Sequence, residues 1–343
     1  MNLTAYLCAI LKSLIFGSTF FFTGKLTESV DVLDVLALRF LLSFTVLWLL
    51  KVTRVLKIDV GIKTFIKKNE RTPFLKTLLL AALFEPVLYM FFETMGVSQT
   101  TGVTAAVIVS LGPIATVITE SLVLKERCPN IIKIFLACGI AGAIYIAVND
   151  GSTGGTDTVV GILFLAASVL VGALFTSFSR KSSFHFKPME VTYVACGVGT
   201  LAFNAVNVVR HVASGTILNY FDPYFNVDNI IGFLFLGVAS TIIASGMTNY
   251  ALSKLHISVV AAFGGMSTFI TVIIGVLFNG EILYYYHYVG FAFILVRMIG
   301  VSTVSIIEER RLQRRLRVQT VPTPYDDTEL PAANSEDRIK EST

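Results

Sequence analysis

The chain has 343 residues, 54% of them hydrophobic and 15% charged, with a mean hydropathy of +0.74 and a formal net charge of +4. A soluble domain carries about a quarter charged residues, so that class is excluded, and the 27 Lys and Arg are too unevenly placed to form a nucleic-acid surface. The composition points to an integral membrane protein, all-α, surrounded by membrane lipid and without a nucleic-acid partner.

Apolar stretches of roughly twenty residues, each enough to cross ~30 Å of hydrocarbon as a helix, recur along the chain. Bounded by charges and turn residues, they give ten expected spans: 3–23, 35–51, 76–95, 102–124, 131–148, 158–179, 189–209, 229–252, 258–278 and 284–306. Lys12 interrupts the first, and neither a basic leader nor an A-x-A site flanks it, so it reads as a retained helix rather than a secretory signal. The cysteines (Cys8, Cys128, Cys138, Cys196) lack paired spacing and any CxxC motif, which predicts free thiols and no metal or other cofactor.

An even number of spans puts both termini on one side. The loops and flanks on that side carry twenty Lys and Arg, eight of them between Lys51 and Lys76 and five between Arg310 and Arg317, against Lys25 and Arg210 opposite. Twenty against two predicts cytoplasmic termini in a multi-pass cell-membrane protein. The missing organelle signals and disulfide pattern point to a prokaryotic cell. Beyond Val318 the tail is polar and acidic with Pro322, Pro324 and Pro331, and disorder is expected over 319–343.

Sliding the chain over itself by 155 residues aligns Gly17 with Gly172, Phe20 with Phe175, Lys25 with Arg180, Thr116-Val117-Ile118 with Thr271-Val272-Ile273, and Glu126 with Glu281. One ungapped offset serving both ends of each half predicts two five-helix halves. Because five is odd, the second half enters from the other side, the inverted-repeat arrangement that lets a midplane site open to either face. The expected organisation is a first repeat over 1–148, an extracytoplasmic linker over 149–157, a second repeat over 158–307 and a basic, then disordered, cytoplasmic tail over 308–343.

Several stretches also carry a resemblance. Thr104-Ala105-Ala106, Ser110, Pro113 and Leu124-Lys125-Glu126-Arg127 in the first half resemble the fourth helix of the EamA-like family of the drug/metabolite transporter superfamily. Tyr250-Ala251-Leu252, Val259-Val260-Ala261-Ala262 and Phe278-Asn279-Gly280-Glu281 resemble the same pattern in the second half, and Gly17-Ser18 with Leu38-Arg39-Phe40 resembles the first two helices. The resemblance covers residues 4–306. It implies ten transmembrane helices as two inverted five-helix repeats around a central cavity, and carriage of small organic metabolites, often outward.

Six ionisable residues fall inside spans: Lys12, Arg39, Glu85, Glu93, Glu120 and Arg297. An ion at a helix centre costs ~2.5–3.5 kcal/mol on insertion scales, so each should face protein, water or a partner. Lys12 and Glu85 lie at similar depth near the midplane, and Arg39 and Glu93 nearer the outer end, which makes each a candidate pair. Glu85 is read either as a proton or substrate site or as a structural partner of Lys12. Glu85, Tyr89 and Glu93 share one helix stripe at i, i+4, i+8, and the repeat mates of the two acids are Ser240 and Thr248, beside Asn249. Lys12, Arg39, Glu85, Tyr89, Glu93, Ser240, Thr248 and Asn249 form the expected substrate-binding or coupling set. Pro86, Pro113, Gly264 and Gly265 are expected hinges or cavity-facing backbone.

The four histidines lie in or beside loops, and no HExxH, GxSxG or GxxxxGK[ST] sequence occurs, so no catalytic residues are named and an ATP-driven engine is excluded for this chain alone. The expectation is a non-enzymatic secondary transporter of amino acids, amines or drug-like solutes, working by alternating access, exporting, with a proton as counter-ion. The alternatives are a facilitator without proton coupling, or a membrane-embedded enzyme or receptor. Oligomeric state is not legible.

Overall fold

Lipid offers no hydrogen bonds, so a chain crossing it must satisfy its backbone internally, which favours helices. A computed structural model describes residues 3–60, 74–100, 102–109, 111–124, 129–150, 158–279 and 284–320, and the regular elements among them are helical throughout. They are α1 (Leu3–Thr27), α2 (Val32–Val52), α3 (Leu75–Val97), α4 (Gly102–Val109), α5 (Gly112–Thr119), α6 (Asn130–Asp150), α7 (Val159–Ser182), α8 (Pro188–Ala213), α9 (Asn229–Lys254), α10 (Ile257–Asn279) and α11 (Tyr285–Thr320). Six of these, α1, α2, α3, α7, α8 and α9, are long and apolar enough to span a membrane. Shorter apolar helical stretches lie at Asn130–Gly142, Val259–Gly275 and Tyr288–Val301. The protein is a multi-pass, all-helical membrane protein.

Local chemistry fixes several helix ends. The Asp31 carboxylate accepts from Leu33 N at 2.9 Å to open α2, and Thr158 Oγ1 accepts from Gly161 N at 3.0 Å to open α7. Pro188 opens α8 where a missing N–H costs nothing, and Glu190 reaches back to Lys187 N at 2.8 Å. Over the expected fourth span the described residues form α4, up to Val109, and α5, from Gly112, followed by a widened π turn at Glu120–Leu124. Residues Met1–Ser305 form one unit and Ile306–Thr343 a second. Helix runs to Thr320, two residues into the segment expected to be disordered; 321–343 lie outside the described residues, as do most of the linker, Ser110, Glu126 and Glu281.

Packing within the first unit has a two-fold character. With the 155-residue offset, α1 corresponds to α7, α2 to α8 and α3 to α9. The α1–α10 contact is matched by α7 on α4 and α5, the α3–α7 contact by α9 on α1, and α2 packs on its own mate α8. Small residues permit these approaches. A Cβ at Gly17 would stand 2.6 Å from the Ser267 carbonyl of α10, and one at Gly172 would stand 3.0 Å from the Tyr89 ring. Both α3 and α9 widen into π turns, at Leu83–Leu88 and Phe235–Ala244, and the offset carries the first stretch inside the second.

The chain ends of these helices sort onto two faces. On the face where α1 begins, Lys187 pairs with Asp59 at 2.8 Å and Lys51 Nζ donates to the Val60 carbonyl at 2.6 Å. On the opposite face, Asp34 at the start of α2 meets Arg210 and His211 at the end of α8, each at 2.8 Å. Asn207 Nδ2 donates to the same carboxylate at 2.8 Å, and Arg210 also pairs with Asp31.

Candidate functional site

The site grows from the break in α3. Glu85 is extended (φ −136°, ψ 118°) inside an otherwise helical run, within the π turn and just before Pro86. A helix interrupted in this way exposes backbone and re-aims side chains, which a membrane tolerates only where protein or a cavity receives them. A cavity of ≈ 190 Å³ lies alongside.

Both halves of the chain line it. α3 contributes Glu85, Tyr89 and Glu93; α1 contributes Lys12 and Thr19; α9 contributes Ser240 and Thr248. Pro113 and Thr116 come from α5, Gly172 and Thr176 from α7, and Gly264, Gly265 and Ser267 from α10. Nine of the twelve residues expected from sequence therefore converge on one space. The hydroxyls of Thr19, Thr116, Thr176 and Ser267 were not singled out, because isolated Ser and Thr in apolar helices commonly bond their own backbone, as Thr116 does to the Pro113 carbonyl at 2.8 Å.

Neither candidate ion pair closes to bonding distance among the described residues. Lys12 and Glu85 both face the cavity, yet no ion pair or hydrogen bond joins them among the described residues. Glu93 accepts a 2.7 Å hydrogen bond from the Tyr89 hydroxyl, its neighbour one turn back. Arg39, 1% exposed, turns to α9 instead: Nε donates to Thr241 Oγ1 at 2.8 Å and Nη2 to Ser240 Oγ at 3.0 Å. It stands behind the cavity wall rather than in it. Thr19 Oγ1 lies 3.2 Å from Ser240 Oγ, so Arg39 reaches the lining through one hydroxyl.

Pro86 and Asn249 also lie off the main cavity. Both border a smaller chamber of ≈ 20 Å³ that shares Glu85, Met90 and Phe175 with the main cavity. The Asn249 amide bridges three helices, accepting from Ser179 Oγ at 2.7 Å and donating to Thr192 Oγ1 at 2.9 Å. Gly264 and Gly265 divide in role. A Cβ at Gly264 would meet open space, whereas one at Gly265 would overlap the Arg297 guanidinium. Arg297 is fully buried, and Gly139 makes room for it on α6. The side chain of Glu120 lies outside the described residues.

Apolar clusters border the cavity, one sharing Leu252, Ile257 and Val260 with its lining and the other Phe20 and Val109. Where α1 begins, Ala5 and Ala9 pack with Leu252, Ile257, Val260 and Phe263. At the opposite end, Phe20 packs with Val97, Ala105 and Leu165, against Ile108 and Val109. The offset of 155 carries Val97 onto Leu252, Ala105 onto Val260 and Ile108 onto Phe263, so the two clusters are built from equivalent positions.

Known proteins agree with this architecture. The model of the EamA-like transporter family matches residues 3–148 and again 159–303. An uncharacterized transporter, YcxC of Bacillus subtilis (strain 168), is 31% identical over 310 residues, covering 90% of this chain and 95% of that protein. A solved crystal structure shares the fold at a TM-score of 0.67 and 16% identity, covering 91% of this chain and 99% of its own. The chain belongs to the EamA-like transporter family.

Proposed function

We propose that this protein is a secondary carrier of small organic metabolites, such as amino acids, amines or drug-like solutes, built as ten membrane helices in two inverted five-helix repeats. It works by alternating access, in the export direction, and couples to protons through Glu85. The observation that carries this reading is a cavity shared by both halves in which Lys12 and Glu85 stand without a hydrogen bond or ion pair among the described residues, coupled only through space. Buried ionisable groups in a membrane are costly, and their retention without a structural bond favours use by a ligand or an ion.

The remaining geometry supports the same reading. A cavity of about 150 Å³ holds benzene, so ≈ 190 Å³ suits a small metabolite. An ammonium at Lys12 opposite carboxyls at Glu85 and Glu93 suits a zwitterion or an amine. Equivalent apolar clusters at the two ends serve as alternating gates, since opening one by rocking the halves compresses the other. Both termini are cytoplasmic in this proposal, on the strength of the basic loops.

The test is solute flux into liposomes holding the purified protein, with pooled amino acids, amines and nucleobases under an imposed pH gradient. Gradient-driven uptake that Glu85→Gln abolishes is the expected result. Uptake indifferent to both the gradient and the substitution makes the protein a facilitator and Glu85 structural.

A further inference from the structure

Glu85 borders two spaces: the central cavity and the smaller chamber. The chamber lies among α3, α8 and α9, with Phe40 of α2 and Phe175 of α7 closing its apolar side, and its polar side chains besides Glu85 are Thr192 and Cys196 of α8 with Thr241, Ser245 and Asn249 of α9. At ≈ 20 Å³ it exceeds the roughly 10–15 Å³ that one water requires, and the hydroxyls and amide that border it are already bonded within the protein: Asn249 to Thr192, Thr241 to Arg39 and the Leu236 carbonyl, Ser245 to the Ser240 carbonyl. The Glu85 carboxyl differs from them: it borders the chamber with no hydrogen bond among the described residues, so a water there would bond to it and to the remaining lone pairs of these hydroxyls.

Its polarity is not a by-product of the repeat. The first-half mates of Thr192, Cys196, Thr241 and Ser245 are Ala37, Leu41, Pro86 and Met90, and only Asn249 has a polar mate, Thr94. The two-fold packing of the helices therefore tolerates apolar residues at these positions. The polar seam exists on one side alone, and it leads toward one face. Asn249 donates to Thr192, and Thr192 Oγ1 donates at 3.2 Å to the carbonyl of Pro188, the first residue of α8. Four residues of helix put Thr192 only about 6 Å from that end. This is the face where α1 begins.

We propose that the chamber is a water site through which Glu85 exchanges its proton with that face, bypassing the solute cavity. The inference rests on the proposed coupling role of Glu85. A proton arriving from bulk water passes to the chamber water, which delivers it to a Glu85 carboxylate oxygen and leaves the neutral acid; discharge runs in reverse. Glu85 is surrounded by Lys12 of α1, Arg39 of α2, Tyr89 and Glu93 of α3, and Cys196 of α8. The described lining residues of α5, α7, α9 and α10 add no ionisable group. A separate proton door lets one carboxyl be loaded from a fixed side while the solute cavity is closed to it, which one shared opening does not permit.

Infrared difference spectroscopy of the full chain in lipid vesicles tests this without a solute. At acidic pH the carboxylic acid band that disappears in Glu85→Gln belongs to Glu85, and a switch from H₂O to D₂O reports how fast its proton exchanges. Thr192→Val and Ser245→Val are expected to slow that exchange by about tenfold, equivalent to ~1.4 kcal/mol on a barrier, while Thr192→Ser keeps the parent rate. Unchanged exchange in both valine variants overturns the proton door and leaves the coupling role of Glu85 standing. If Glu85→Gln removes no acid band, Glu85 does not take up a proton, and the coupling reading fails together with this one.

Discussion

Arg39 Nη2 donates to Ser240 Oγ across 201 residues of sequence, and the offset of 155 carries Glu85 onto Ser240. The same guanidinium holds Thr241 in the π turn of α9, and Ser43 one turn along donates to the Gly237 carbonyl at 2.8 Å. α2 thus holds the widened segment of α9 that forms the cavity wall opposite Glu85. Arg39→Leu removes both charge-assisted bonds and should lower stability by about 1.5–3 kcal/mol. Arg39→Lys should recover under half of this, because a single ammonium lacks the fork that reaches two hydroxyls. Thermal melts in detergent measure both, and a lysine variant as stable as the parent would contradict the fork argument.

Two adjacent glycines should respond in opposite ways. Gly265→Ala drives a methyl into the Arg297 guanidinium and should cost about 1–3 kcal/mol as overpacking. Gly264→Ala points its methyl into the open cavity and should leave stability level or raise it by about 0.5–1 kcal/mol, the ordinary gain of alanine over glycine in a helix. Its effect should appear in flux instead, because the cavity narrows. Equal melting temperatures for the two variants would refute the assignment of Gly265 as the Arg297 notch.

The connection between α8 and α9 gives a pH prediction. Tyr224 donates to the Leu38 carbonyl at 2.5 Å, and burial, then the neighbouring Tyr220, pushes its phenol above the ordinary value. An unfolded tyrosine ionises near pH 10. Between that point and the higher folded value the unfolded chain has released a proton that the folded one retains, so stability falls as pH rises. Melting temperature should be level below about pH 10 and fall above it, and Tyr224→Phe should flatten that fall. A decline equally steep in the phenylalanine variant assigns it to other groups.

Trp48, the only tryptophan in the chain, lies near the end of α2 and is 49% exposed. Tryptophan at that depth sits in the lipid interface. Its emission should be blue-shifted and quenched by brominated lipids rather than by aqueous iodide. Iodide quenching as strong as that of free tryptophan would remove this face of α2 from the bilayer.

The sequence alone carried the membrane class, and the structure brings most of the residues it singled out around one cavity. Transfer into hydrocarbon acts on a local run of side chains, so apolar stretches announce themselves without knowledge of their neighbours. The same cost marks Lys12, Glu85 and Glu93, because a charge inside such a run requires an explanation. The offset of 155 extended this to Ser240 and Thr248, which meet the acids in one cavity.

Only the tertiary structure decided who faces whom. Lys12 and Glu85 share the cavity without bonding, Arg39 chooses Ser240 and Thr241 over Glu93, and Asn249 and Pro86 belong to a second chamber. The Asp34–His211 contact joins residues 177 apart that no pattern connects. In water, the apolar stripe of a helix tells which side turns inward. In lipid, inner and outer faces are both apolar, and the rotation of each helix is set by close packing at glycines such as Gly17 and Gly265 and by scattered hydroxyls. Depth along a span is therefore written in the local sequence, whereas direction around it is settled only when the helices meet.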